Sequence, residues 1–142
     1  MPNVMYNSAK RDFLKAAINC ETDTIKVMLV GAGYVQNIDT HTKRSDITNE
    51  IVGAGYTAGG VVLANKSVTI DLATNKAIFN CDDPVIPNAT IAGAIGAVVY
   101  KSRGGAASAD ELICYNEFAA PASSTNGNFV VNIATIGVLQ LG

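Results

Sequence analysis

Apolar and polar positions follow two different periods along this chain. Near the amino end Phe13 and Ala17, then Leu14 and Ile18, stand four apart, and Asn7 or Ser8 can supply an N-cap oxygen. The spacing predicts a helix over about residues 8–18. After a polar break at 19–23, residues 24–30 (TIKVMLV) read as a strand with Ile25, Val27 and Leu29 toward the core, ended by Gly31 and Gly33. Residues 34–50 mix Asp, Thr, Asn, Lys and Arg without a sustained period, which predicts a long loop with one helical turn. From residue 60 the period shortens. Strand signals occur at 61–64, 67–72 and 76–81, with Val68, Ile70 and Leu72 alternating against Thr69 and Asp71, and Ala73, Thr74 and Asn75 forming a hairpin turn. Asp82, Asp83, Pro84 and Pro87 close that pair, and residues 91–101, 111–118, 128–133 and 136–141 supply four more strands. Helices are missing between the strands, so parallel βαβ topology fails. The pattern predicts a mainly β chain: an antiparallel β-sandwich or jelly roll of seven to eight strands with one N-terminal helix, as a single domain over residues 1–142 behind a short N-terminal arm.

Composition sharpens this picture. Valine and isoleucine number 14 and 13 against 7 leucines, a balance that suits a pleated sheet and argues against an all-helical fold. Only 22 of the 142 side chains are charged, 10 basic and 12 acidic. An average chain of this length would carry roughly 36, so the surface is unusually uncharged. The net charge of −2 offers no broad basic field for nucleic acid or an anionic membrane. No export signal is read in the first twenty residues, and the ten-residue weakly apolar stretch at 91–100 is about half of what spans a bilayer, so a soluble protein is expected. A positive mean hydropathy of +0.24 with few charges implies apolar surface covered by another protein. Identical copies are the simplest such partner.

Candidate chemistry is sparse. Gly53-Ala-Gly55-Tyr-Thr-Ala58 fits the dinucleotide fingerprint G-x-G-x-x-[GA], but Gly59, Gly60 and a strand follow where the phosphate-binding helix belongs, so a turn is expected. The tetrapeptide Gly-Ala-Gly-Tyr occurs twice, at 31–34 and 53–56, too little for a repeat architecture. His41 is the sole histidine, which excludes a two-histidine metal site within one chain, and no G-x-S-x-G elbow is present. Asp82 and Asp83 read as a solvated turn and not a cation site. Cys20, Cys81 and Cys114 are an odd, widely spaced set and read as buried thiols. The sequons at Asn65 and Asn88 read as chance matches. No catalytic, cofactor or metal residue is assigned, and a non-enzymatic role is expected.

The order of segments LKAAIN, DTIKVMLV, residues 34–39, His41, SDITNE, GAGYTAGG and LANKSVTID, followed by FNCDDPVIPNATI, AVVYK and SSTNGNFVVNIATIGVLQL, covers nearly the whole chain. It resembles a family of small tailed-bacteriophage virion proteins of the capsid decoration, or cement, type. The resemblance implies a structural role on the outer capsid surface, with the major capsid protein and further copies of the chain as partners, a trimer being favoured, and synthesis in the host cytoplasm. Two other roles stay open: a neck or tail structural protein, and a carbohydrate- or host-surface-binding virion module built on a platform of tyrosines. Exposure of chain ends and long loops selects Met1, Pro2, Asn3, Val4, Met5 and Tyr6 of the arm, and Tyr34, His41, Lys43 and Arg44 of the long loop, as candidate interface residues.

Overall fold

The computed structural model describes residues 3–142 and, for Asn3, the backbone alone. Its elements, in chain order, are β1 (Asn3–Met5), α1 (Asn7–Leu14), β2 (Ile25–Gly31), β3 (Val61–Val62), β4 (Ser67–Asp71), β5 (Lys76–Asn80), β6 (Val85–Lys101), β7 (Leu112–Val130) and β8 (Leu139–Leu141). Single 3-10 turns occur at Arg44–Asp46 and Ala107–Ala109. The strands form two antiparallel sheets, a larger one in the order β1-β7-β6-β2-β3 and a smaller one in the order β4-β5-β8. The expected antiparallel sandwich with one helix is the observed architecture, with eight strands among the described residues.

The central strands of the larger sheet are buried on both faces, which is why residues 24–30 read as a nearly continuous apolar run. Ile25, Val27 and Leu29 point into the core between the sheets, with Val99, Ile113, Phe79 and Leu139. Met28 and Val30 point the other way, into a second cluster with Tyr6, Tyr34, Val98, Tyr100, Leu112 and Tyr115. The long loop covers that second face. It carries Tyr34 into the cluster, with Ile38 and Ile47 packed against it, and its backbone is zipped at both ends. Gly31 donates to Asn49 O and Ile51 to Leu29 O; Arg44 donates to Asp110 O and Leu112 to Thr42 O.

Three expectations are corrected. The helix stops at Leu14, not near 18, because Ala16 takes a left-handed backbone (φ 58°) while Ala17 N donates to Asp12 O and Ala16 N to Phe13 O. That is a Schellman stop with alanine where glycine is usual. Neither Asn7 nor Ser8 caps the helix; Tyr6 is the N-cap, with no side-chain cap bond, while the Asn7 side chain instead donates to Asp39 at 2.6 Å. Lastly, the strands expected at 111–118 and 128–133 fall together in one long strand that starts at Leu112 and stops at Val130, and 91–101 begins earlier, at Val85. Prolines and polar residues suggested breaks there. The chain instead absorbs them as register shifts, Pro87 between Ile86 and Ala89, and Pro121 within the shift that separates the pairs Ala94–Ala122 and Gly96–Glu117.

The fingerprint glycines serve packing. The turn at 53–56 lies against β6, where Thr90 N donates to Ala54 O, and a Cβ on Gly53 or Gly55 would collide with the Thr90 or Asn88 carbonyl. After that turn comes β3, with no helix to receive a pyrophosphate.

Candidate functional site

The ten candidate interface residues divide by position. Met1 and Pro2 lie outside the described residues. Asn3, Val4 and Met5 form β1, an edge strand paired with Asn116, Tyr115 and Cys114 of β7. Tyr6 is fully buried and Tyr34 nearly so, at 0 % and 5 % exposure, so neither side chain is presented to a partner. The fold does bring the arm and the loop together. The Tyr6 and Tyr34 hydroxyls lie 2.6 Å apart, and the Tyr34 hydroxyl is 3.2 Å from His41 Nδ1. Asn37 N–H also donates to that nitrogen at 3.3 Å, which makes Nδ1 an acceptor and orders the chain of donation from Tyr6 to Tyr34 to His41. Burial raises both tyrosine pKa values, so both remain neutral donors.

Lys43 and Arg44 are half-buried and structural. Arg44 Nε meets Asp110 Oδ2 at 2.8 Å, and its guanidinium lies 5.3 Å from the Tyr100 ring centroid. Asp110 is 1 % exposed and also accepts from Arg103 N at 2.8 Å. Arg103 in turn forks onto Glu111 through Nε at 2.7 Å and Nη2 at 2.6 Å, holding that carboxyl below the usual range. Asp46 is held low by the Thr42 and Lys43 amides that donate to it. This end of the molecule is knit by polar bonds and closed.

Burial pushes Cys20 and Cys81 up to about 11 and Cys114 up to about 12, so all three are thiols at neutral pH and poor nucleophiles. Cys20 and Cys114 are buried and Cys81 half-buried; none is in a disulfide. Among the described residues no three metal-ligating side chains cluster. The tyrosines do not form a stacking platform: Tyr6, Tyr34, Tyr100 and Tyr115 are core residues, and Tyr56 spends its hydroxyl on Glu50 at 2.7 Å.

The features best suited to contact lie elsewhere, at the smaller sheet. Its inner face alternates as the sequence pattern requires: Val68 sits opposite Phe79 and Ile70 opposite Ala77, which itself lies opposite Leu141. The deep members Phe79 and Leu139 are core residues, but the hairpin end overhangs the larger sheet. Ile70 is 74 % exposed and Leu72 81 %. Here an apolar groove of about 310 Å³ runs between this face and the helix end, lined by Phe13, Ile18, Ala77, Leu139 and Leu141 among others. Beyond the opposite end of β8 the sandwich gapes. A cleft of about 440 Å³ is lined by Val99, Cys114, Phe118, Ala122, Phe129, Val131, Ile133 and Val138, with Asn116, Glu117 and Asn132 as its polar members. The alternation of Val68, Ile70 and Leu72 marked these as inward residues, but only the placement of the core shows that two of them have nothing to face.

No family model, curated protein or solved structure matches this chain. No helix among the described residues is long and apolar enough to cross a membrane.

Proposed function

We propose that this chain is a phage capsid decoration protein, which binds the outer surface of the major capsid protein lattice and strengthens the head by contact. The observation that carries the reading is the overhanging apolar face, with Ile70 and Leu72 mostly exposed at the end of a one-sided sheet. A chain with only 22 charged side chains that leaves such a face uncovered is built to be covered by protein. The resemblance of the segment order to tailed-phage virion proteins favours a capsid lattice as that covering protein. Stabilisation follows from linkage: a chain that binds the assembled lattice and not the dissociated subunits raises the free energy of disassembly with each copy bound.

Cryo-electron microscopy of the particle that carries the chain tests this. Density for the chain on the capsid exterior at lattice copy number is the expected result. Six or twelve copies at one vertex would replace the decoration role with a neck or tail role.

A further inference from the structure

An asparagine that precedes glycine is open to attack by its own chain, because no side chain on the next residue keeps that residue's backbone nitrogen away from the asparagine amide carbon. The sequence holds one such pair, Asn126–Gly127. The fold sets it in an irregular part of β7. Ala89 pairs with Gly127 and Ile91 with Ser124, so Thr125 and Asn126 together oppose the single residue Thr90. That two-against-one count is a β-bulge, and Asn126 takes the left-handed backbone (φ 46°) within it. Asn126 is exposed, and the bulge interrupts the regular ladder, so the backbone can turn there at less cost than elsewhere in the strand.

Packing gives no reason for glycine at 127. A Cβ there would meet only the Thr125 carbonyl oxygen, at an ordinary 3.6 Å, whereas one on Gly53, Gly55 or Gly60 would collide with a neighbouring carbonyl. Thr90 completes the arrangement. Its hydroxyl accepts from Asn126 N at 3.1 Å and donates to Asn126 Oδ1 at 3.4 Å. Its backbone is held by the 53–56 turn, Thr90 N donating to Ala54 O at 2.8 Å. The hydroxyl therefore rests on the oxygen that gains negative charge when the side-chain carbonyl is attacked.

We propose that Asn126 is a self-modification site of the folded chain, deamidating through Gly127 with assistance from the Thr90 hydroxyl. The Gly127 nitrogen, its proton lost to solvent base, bonds to Asn126 Cγ and closes a succinimide ring. The Cγ–Nδ2 bond breaks and ammonia leaves with a proton from solvent. Water then opens the ring. Cleavage at Cγ leaves aspartate, and cleavage at the main-chain carbonyl leaves isoaspartate, whose main chain runs through Cγ. One water is consumed and one ammonia released for each conversion, and nothing is oxidised or reduced. Residues 118–130 carry no charge, so the product places an ionised carboxylate in a strand segment that had none. The inference does not rest on the capsid reading.

The full chain is held in mildly alkaline buffer, folded or unfolded in urea, then digested; mass spectrometry reads amide loss at each asparagine and isoaspartyl methyltransferase reads isoaspartate. Circular dichroism verifies that the variants fold. In the folded chain Asn126 converts faster than every other asparagine and yields both products. Gly127→Ala, which the fold accommodates, slows this by about tenfold, a barrier difference that a methyl group in the path of attack supplies. Thr90→Val slows conversion in the folded chain and leaves the rate in urea unchanged. An Asn126 that stays intact in the folded chain while converting in urea overturns the proposal. So does a folded rate indifferent to Gly127→Ala or to Thr90→Val.

Discussion

The two faces of the larger sheet end differently. On one, the long loop returns over Met28, Val30, Val98 and Tyr100, buries them with three further tyrosines, and is fastened by Arg44–Asp110 and by backbone bonds at each end. On the other, a short three-stranded sheet covers the centre but overhangs at its hairpin and gapes along β7. Both faces are apolar in sequence; what separates them is whether the chain supplies its own cover. The self-covered face is a stability element, and the partly covered face is where another protein can gain contact.

Breaking the closed face should cost most. Tyr6→Ala removes a fully buried ring and the inner end of the Tyr6–Tyr34–His41 chain. A loss of about 4 kcal/mol in urea unfolding is expected. Arg44→Met follows, at about 3 kcal/mol, since it strands the buried Asp110 carboxylate with only the Arg103 amide.

Acid should loosen the same face. Glu111 and Asp46 have folded pKa values below their ordinary ones, through the Arg103 fork and the Thr42 and Lys43 amides respectively. Their stabilisation is therefore complete above the unfolded carboxylate range and is lost as the pH falls below about 4, through the folded values. The urea midpoint should fall between pH 5 and pH 3, and Glu111→Gln should flatten that dependence. A midpoint independent of pH over this interval would show that the closure does not draw on these carboxylates.

Smaller effects sharpen the contrast from the other side. Ala16→Gly relieves a left-handed alanine at the helix stop and should stabilise by about 1 kcal/mol, seen as a rise of about 2–4 °C in Tm. Leu72→Ala, on the uncovered hairpin, should change the stability of the separated chain by less than about 0.5 kcal/mol. A large loss there would mean that the overhang is core after all.

Much of the fold could be read from residue order. The β-branched runs located β2, β4 and β5 to within a residue or two, and the aperiodic segment at 34–50 is a loop with one helical turn, as expected. The boundaries that failed share a cause. Gly, Ser, Asn and Pro at 84–90 and 119–128 weaken local strand preference, yet pairing between β6 and β7 holds them extended because each strand satisfies the other's backbone. The helix stop was missed for a similar reason: alanine is a good helix former, and its left-handed placement at residue 16 depends on the chain's need to turn toward β2.

The candidate contact residues were less legible. Chain ends and long loops suggest exposure, but Tyr6 and Tyr34 are large, apolar over most of their surface and within hydrogen-bond reach of each other, so burial wins. Exposure of Ile70 and Leu72 has no local signal, because an alternating strand looks the same whether or not a second layer reaches its end.

Residue order alone determined the class of structure, since side-chain branching and a period of two act through the backbone of each segment without reference to its neighbours. Which apolar faces the chain covers for itself, and which it leaves for others, was decided only by tertiary structure. Coverage depends on how far one layer extends over another, and that length is set by pairing between segments distant in sequence.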